Sequence, residues 1–209
     1  MKYIDLSHHI INNMPVYPGD SQVKLYQDKH LEEDGYTGYK LEIGMHAGTH
    51  IDTPMHLLKQ ETFINEISLD KFVGRGCLLD VRNEKIIKYK AEYADIIKEN
   101  DIVILFTNYS KLYGSQEYYT NHPVISKELG TFLVEKKIKM IGIDMPSPDR
   151  YPFEIHKLFF ENNILIIENL TNLNELLEVD NFEIIAFPLK IEAEAALVRV
   201  VARIDNCYT

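Results

Sequence analysis

The stretch Asp101-Ile-Val-Ile-Leu-Phe106 contains an unbroken apolar run with no polar alternation. A run of this kind predicts a strand buried on both faces, as in the centre of a parallel sheet. Similar runs lie at residues 76–82 and 139–144, and amphipathic patterns typical of helices lie at residues 84–98 and 126–137. Strands that alternate with helices indicate an α/β fold.

The flanking sequence adds further elements on both sides of this centre. We predict strands at residues 3–7, 22–28, 39–46, 164–169, 182–191 and 195–204, and a helix at residues 153–161. With 45% hydrophobic residues and no shift in composition, the chain can build one substantial core. We therefore expect a single domain over residues 1–209.

Charge and composition narrow the classes of partner. The formal net charge is -10, and no lysine or arginine cluster is present, which argues against nucleic acid or an anionic membrane surface as a partner. The first residues lack the long apolar core of a signal peptide, and no apolar run reaches the roughly 18 residues of a membrane span. We expect a cytoplasmic protein that binds small molecules and copies of itself.

Cysteine content excludes two kinds of scaffold. Cys77 and Cys207 are too few for a disulfide framework or a four-thiolate zinc site, so both are expected to be free thiols.

Four potential metal ligands crowd into one short segment, His46-Ala-Gly-Thr-His50-Ile-Asp52-Thr-Pro-Met-His56. All four occupy even positions, so an extended backbone would direct them to one face. Full extension would hold the alpha carbons of His46 and His50 roughly 13 Å apart, and we expect a bend at Ala47-Gly48 to bring them to a common ion. His50 and Asp52 already share a face. The segment predicts a metal site at a strand edge.

A helix is unfavourable over this segment. Gly48 and Pro54 both weaken a helix, which excludes the helical type of zinc-protease motif. A chance cluster of surface polar residues, or one structural zinc site, stays open as an alternative.

A second group of polar residues lies late in the chain. Glu168 ends an apolar strand, so its carboxylate should face a buried partner or a cleft, because an unpaired buried charge is very costly. Asp144, Ser147 and Asp149 lie in a proline-fixed loop before the helix of His156. They could accept hydrogen bonds from metal-binding histidines, or simply cap the turn and helix.

Three further features are expected around the site. Prolines and a glycine in residues 14–20 predict a rigid loop that displays Tyr17. The tyrosine-rich residues 113–122 are a candidate loop over a site or an oligomer contact. We expect His8 to be structural or to support a ligand.

Several motifs together resemble a known family. They are the pattern HxGTHxDxPxH at residues 46–56, Asp5-Leu-Ser-His8, Pro15-Val-Tyr-Pro-Gly-Asp20, and the pair His156 and Glu168 with Glu-Asn-Leu at its end. The chain resembles the cyclase-like metal-dependent hydrolases, typified by bacterial kynurenine formamidase, over nearly its whole length. This implies a swivelling β/β/α fold with a mixed sheet and flanking helices, a homodimer or homotetramer, and two divalent ions per chain, usually zinc.

The resemblance also implies roles for individual residues. The implied ligands are His46, His50 and Asp52 for one ion, and Asp52, His156 and Glu168 for the other. Glu168 would also reach the first ion. His56 would stay unligated as the catalytic acid/base, and Tyr17 would pack against the substrate where resembling formamidases have a tryptophan. The stretch Ile191-Glu-Ala-Glu-Ala-Ala-Leu-Val-Arg199 departs from resembling chains, so the rim of the pocket is expected to differ there.

The chemistry agrees with these roles. Imidazole and carboxylate ligands without thiolate suit Zn²⁺ first and Mn²⁺ second. A bound metal lowers the pKa of water from about 16 toward 7, so no serine or cysteine nucleophile is required. The resemblance implies an amidohydrolase that opens a C–N bond, with N-formylkynurenine, a tryptophan catabolite, as the best-known substrate. The alternatives are a hydrolase of a cyclic amide or lactone, and a metal-dependent binding module without catalysis.

Overall fold

The structure, a computed structural model, describes residues 1–204. Its strands are β1 (Lys2–Asp5), β2 (Lys24–Lys29), β3 (Gly38–Glu42), β4 (His50–Asp52), β5 (Val73–Asp80), β6 (Ile86–Ile87), β7 (Ile102–Phe106), β8 (Val124–Ile125), β9 (Met140–Ile143), β10 (Leu165–Glu168), β11 (Glu183–Ile185), β12 (Ala195–Leu197) and β13 (Val201–Ile204). Its α-helices are α1 (Leu31–Asp34), α2 (Tyr93–Ile96), α3 (Gln116–Thr120), α4 (Lys127–Glu135) and α5 (Glu154–Glu161).

One nine-stranded mixed sheet, in the order β1-β13-β11-β5-β7-β9-β10-β4-β12, dominates the fold. Its centre, from β5 through β7 and β9 to β10, is parallel, and the strands on both flanks pair antiparallel. Every residue of β7 is buried, as its apolar sequence predicts for a central parallel strand. The predicted α/β fold with a mixed sheet and flanking helices is confirmed.

Alternate residues of the central strands enter two different apolar cores. In β7, Val103 and Leu105 face a core that also contains Leu129 of α4 and Phe159 of α5. The other face of β7 packs with residues from strands on both flanks, including Ile4 of β1, Ile51 of β4 and Ala202 of β13. Because both flanks meet this core, the sheet curls around it.

The predicted helix at residues 84–98 is wrong. Ile86 and Ile87 form β6, which pairs in parallel with β8, and only the single turn of α2 is helical. Pairing with a distant strand thus overrides a local pattern that has apolar residues at helical spacing.

The C-terminal elements also differ from the prediction. Residues 195–204 form two strands rather than one, and these lie at opposite regions of the sheet: β12 pairs with β4, whereas β13 pairs with β1 and β11. An apolar run cannot reveal that its two ends choose different partners. The strand predicted at residues 182–191 is reduced to β11.

The strand that precedes the histidine motif is shorter than predicted. The strand predicted at residues 39–46 ends at Glu42, because β3 pairs only with β2 in a mostly exposed two-stranded sheet. The histidine motif therefore occupies a turn and then β4, not the end of β3.

Two smaller expectations can be compared with the structure. Among residues 1–204, no helix has both the length and the apolar character needed to cross a bilayer. Cys77 is a buried free thiol, as predicted, and Cys207 lies outside the described residues.

Candidate metal centre and active-site cleft

The histidine motif begins in a tight turn. Gly48 has a φ of +66°, and a Cβ there would lie 2.9 Å from Met14 Cε, so glycine suits both the backbone and the space. The turn brings the imidazole ring centroids of His46 and His50 to 5.0 Å, which confirms the predicted bend. His50 Nδ1 donates to the Gly48 carbonyl at 2.8 Å, which leaves the lone pair of Nε2 available for a metal ion.

Strand pairing places Glu168 beside the motif. In the antiparallel pair of β4 and β10, Glu168 lies opposite His50. His50 Nε2 consequently lies 3.5 Å from Glu168 Oε2 and 3.3 Å from Asp52 Oδ1. All three side chains are buried. The register of two strands therefore joins residues more than a hundred positions apart in the chain.

His156 lies in the first turn of α5, and its ring is oriented by a hydrogen bond to Asp149. Asp149 Oδ1 accepts a hydrogen bond from His156 Nδ1 at 2.6 Å, and Oδ2 accepts from the backbone nitrogens of Ile155 and His156. Asp149 thus fixes both the start of the helix and the orientation of the ring. His156 Nε2 then faces Glu168 Oε1 at 3.4 Å.

Asp144, Ser147 and Asp149 were predicted to accept hydrogen bonds from metal-binding histidines. Among the described residues, only Asp149 forms such a hydrogen bond. Asp144 instead accepts hydrogen bonds from the backbone nitrogen and the hydroxyl of Thr107, at 2.9 and 2.6 Å. Ser147 lines the cleft. Asp149 both orients His156 and caps its helix, so the two predicted roles coincide in one residue.

His56 completes the cluster on a 3₁₀ turn that follows β4. Its ring centroid lies 4.4 Å from that of His46 and 6.3 Å from that of His156. Burial, reinforced by the neighbouring imidazoles, lowers the pKa of His56 despite the opposing charge of Asp52. His56 therefore lies within reach of the ligands as a neutral imidazole.

The donor atoms fit a divalent metal. Ligand atoms of His50, Asp52 and Glu168 lie within 4.8 Å of one another, and so do those of His46, Asp52 and His56. His50 Nε2, Asp52 Oδ1 and Glu168 Oε1 are buried without a hydrogen-bond partner among residues 1–204, although buried polar atoms are nearly always paired. Nitrogen and oxygen atoms that lie close together without hydrogen bonds keep their lone pairs available for a cation.

In the metal-free chain, nearby carboxylates favour the protonated form of the histidines beside them. Burial lowers the pKa of His46, but the nearby charges of Asp52 and Glu168 outweigh it and raise the pKa to about 9. Burial also lowers the pKa of His156, but its hydrogen bond to Asp149 and the charge of Glu168 outweigh it and raise the pKa to about 10. Burial and the nearby charge of Asp52 raise the pKa of Glu168. A cation at this place would supply the positive charge that protons carry in its absence.

The cluster forms the floor of a cleft of about 520 Å³. Tyr17 lies on its wall, and its ring meets that of Tyr119 edge to face, with 5.7 Å between centroids. Residues 113–122 contribute Tyr113, Tyr119 and His122 to the same wall, as expected for a segment over a site, although α3 replaces part of the predicted loop. The alternative of an oligomer contact stays a prediction. His8 stacks on Tyr113 at 3.8 Å, which is a structural role.

Two residues of the site were missed from the sequence. Glu194 Oε1 lies 3.1 Å from His46 Nε2, because pairing of β12 with β4 brings the preceding residue over the motif. Asn169 donates to the Gly48 carbonyl at 3.0 Å and accepts from the Tyr118 hydroxyl at 2.7 Å, which supports the turn. The acidic pattern around Glu194 was visible as a departure from resembling chains, but nothing in the sequence indicated its contact.

The chain is similar to known proteins over nearly its whole length. Residues 4–150 match the Cyclase family model, described as "Putative cyclase". A kynurenine formamidase of Bacillus cereus is 30% identical over 208 residues, covering 97% of each chain, and an uncharacterized protein of Methanocaldococcus jannaschii is 31% identical over 203 residues, covering 97% of this chain and 99% of that one.

Solved structures show the same fold. A potential metal-dependent hydrolase with cyclase activity superimposes with a TM-score of 0.77 at 26% identity, over 96% of each chain. An isatin hydrolase bound to the product analogue thioisatinate gives a TM-score of 0.85 at 20% identity, over 96% of this chain and 91% of that one, which is a likeness of fold alone. The family match over most of the chain, together with the full-length relatives, shows that this protein belongs to the Cyclase family of metal-dependent hydrolases.

Proposed function

We propose that the protein is a metal-dependent amidohydrolase that cleaves the C–N bond of an aryl formamide, with N-formylkynurenine giving kynurenine and formate as the leading reaction. The observation that carries the proposal is the convergence of buried, unpartnered donor atoms on His50, Asp52 and Glu168 at the floor of a cleft. The full-length likeness to a kynurenine formamidase supports this reaction over the cyclic-amide alternative.

The proposed centre holds two divalent ions. The proposed ligands are His46, His50 and Asp52 for the first ion, and Asp52, His156 and Glu168 for the second. The distances from Glu168 to His50 and to His156, 3.5 and 3.4 Å, support its placement between the two sites. Donors of nitrogen and oxygen without sulfur favour Zn²⁺, with Mn²⁺ as the alternative.

The side chains around the ions have distinct tasks. Bound divalent ions supply Lewis acidity and lower the pKa of water. The neutral His56 can take a proton at a ring nitrogen and return it to the departing anilide nitrogen, a role that needs a pKa near or below neutral. Asp149 keeps His156 in one tautomer, and Tyr17 packs against the aryl ring of the substrate.

The proposal extends to the whole molecule. Residues 1–209 form one domain, which assembles as a homodimer or homotetramer and acts in the cytoplasm on a small molecule from tryptophan catabolism. Sedimentation at equilibrium tests the assembly, and a monomer at micromolar concentration would contradict it.

The function is tested with zinc-loaded protein and a small panel of substrates. N-formylkynurenine should be hydrolysed with the highest kcat/KM, followed spectroscopically as kynurenine forms, and isatin and simple lactams should react weakly or not at all. Preferred turnover of isatin would move the assignment to a cyclic-amide hydrolase. A protein that binds kynurenine but hydrolyses nothing would be a binding module.

A further inference from the structure

The cleft is rich in negative charge and holds a single basic side chain besides its histidines. Four carboxylates line it, those of Asp20, Asp52, Asp149 and Glu168. Within the part of the chain that the structure describes, Arg150 is the one lysine or arginine that lines the cleft. Three of these carboxylates have other partners, because Asp52 and Glu168 are proposed metal ligands and Asp149 is hydrogen-bonded to His156.

The guanidinium of Arg150 is anchored by backbone rather than by an acid. Its Nη2 donates to the carbonyl oxygen of His122 at 2.6 Å, and His122 lines the same cleft. The adjacent carboxylate of Asp149 is already occupied by His156 and by the first backbone nitrogens of α5. Among residues 1–204, no carboxylate lies within ion-pairing distance of Arg150.

An anchored guanidinium without an acidic partner retains several N–H donors for a ligand. Guanidinium groups bind carboxylates through paired, charge-assisted hydrogen bonds, and their fixed planar shape also sets the orientation of the bound group. The Tyr17 and Tyr119 rings lie on the wall of the same cleft. The cleft thus combines an aromatic wall, a metal-binding floor and a cation with free donors.

We propose that Arg150 is a specificity-determining residue that binds a carboxylate carried by the substrate away from the amide that is cleaved. The substrate class is an aryl formamide whose side chain ends in an α-amino acid, as in N-formylkynurenine, and the proposal rests on the proposed function. Binding of this carboxylate contributes to affinity and orients the substrate in the cleft, but it takes no part in bond cleavage. Its loss should consequently change KM and leave kcat in place.

The test compares two substrates that differ in the α-amino-acid end, which bears the carboxylate and an ammonium. N-formylkynurenine carries it, and 2-formamidoacetophenone keeps the ring, the ortho carbonyl and the formamide but lacks the amino-acid end. Arg150→Gln should raise KM about tenfold for the first substrate and leave the second unchanged, with kcat retained for both. Arg150→Lys, which keeps the charge without the planar fork, should recover part of the loss.

The matched control is Lys127→Gln. Lys127 lines a shallow groove next to the cleft that Arg150 also borders, but it does not line the cleft itself. This variant should leave both substrates unaffected. An equal rise in KM for both substrates in Arg150→Gln would overturn the proposal, since the arginine would then only support the wall of the cleft.

Binding of products separates this proposal from the proposed function. By calorimetry, Arg150→Gln should weaken the binding of kynurenine about tenfold and leave 2-aminoacetophenone unchanged. If the wild-type protein hydrolyses neither formamide, the proposed function fails, while the kynurenine measurement still decides the role of Arg150. Equal binding of kynurenine by the variant and the wild type would overturn that role.

Discussion

The chemistry of a buried imidazole depends on which of its neighbours are charged. His56 lies among two other histidines and the carboxylate of Asp52, and the balance of burial and charge keeps its pKa low. His156, by contrast, is hydrogen-bonded to Asp149, and this carboxylate together with Glu168 outweighs the effect of burial and raises the pKa of His156 to about 10. Histidines in one cluster can therefore divide into a proton carrier and metal ligands according to their partners.

Replacing His56 with alanine should remove turnover and spare the metals. General acid–base catalysis contributes about a hundredfold to ten-thousandfold, so kcat for N-formylkynurenine should fall within that range. Metal content per chain, measured by mass spectrometry, should stay unchanged if His56 is unligated. Loss of one ion in this variant would identify His56 as a ligand, which its proximity to His46 and Asp52 also permits geometrically. The exposed His30 provides the control substitution.

Glu194 is expected to act through His46. Its carboxylate accepts from one ring nitrogen at 3.1 Å, while the other ring nitrogen faces Asp52 at 2.9 Å. Removing a partner of this kind typically lowers metal affinity about tenfold to a hundredfold. Glu194→Gln should show that loss in zinc competition titrations, whereas Glu192→Gln, at an exposed position nearby, should not. Unchanged affinity in both variants would make the contact incidental.

At the level of residues, the sequence predicted what its local spacing encodes. Even spacing and a glycine bend predicted that His46, His50 and Asp52 lie near one another, and in the structure Asp52 lies close to both histidines, which fall into two overlapping groups of ligand atoms. The link to Glu168 and His156 rested on resemblance, because the side chains meet only through strand register and helix placement. Glu194 was out of reach, since its contact depends on the pairing of a three-residue strand with another of equal length.

The turn at Gly48 brings the rings of His46 and His50 together at the start of the motif. Gly48→Ala forces a side chain into the left-handed region and against Met14, so we expect a loss of about 1–2 kcal/mol in the free energy of unfolding. Gly44→Ala is the matched control, because Gly44 has no atom within 4 Å of a built Cβ and no positive φ. Urea denaturation measures both. Equal stability of the two variants would show that the turn tolerates a side chain.

Elements were predicted well where burial is continuous and poorly where pairing is remote. β7 and α4 follow from apolar runs and amphipathic spacing, since each buries the face that its own sequence defines. Residues 84–98 have helical spacing yet supply the short strand β6, because β8 offers it a partner. Residues 195–204 divide between two distant regions of the sheet for a similar reason, because β12 pairs with β4 and β13 with β1 and β11. Local patterns record burial, but not the identity of the partner strand.

Over the whole molecule, the curled sheet brings several buried carboxylates together at the carboxyl ends of its central strands. Glu168 ends β10, and Asp144 follows β9 directly, so both stand at the carboxyl ends of parallel strands, where α/β sheets place their ligand sites. The concentration of carboxylates there costs stability unless cations compensate it. Protons compensate the carboxylates in the metal-free chain, and bound metal would do so in the proposed centre.

This exchange predicts how stability depends on pH. In the metal-free chain, His46 and His156 have pKa values of about 9 and about 10, above the 6.5 of an unperturbed imidazole. Between pH 6.5 and these values the folded chain binds more protons than the unfolded chain, so its stability falls as pH rises. Zinc binds neutral imidazoles and is favoured by the same rise. The melting temperature of chelator-treated protein should therefore fall from pH 6.5 to 9.5, and the gain in melting temperature on adding zinc should widen over that range. A gain that stays constant would show that zinc displaces no protons from these histidines.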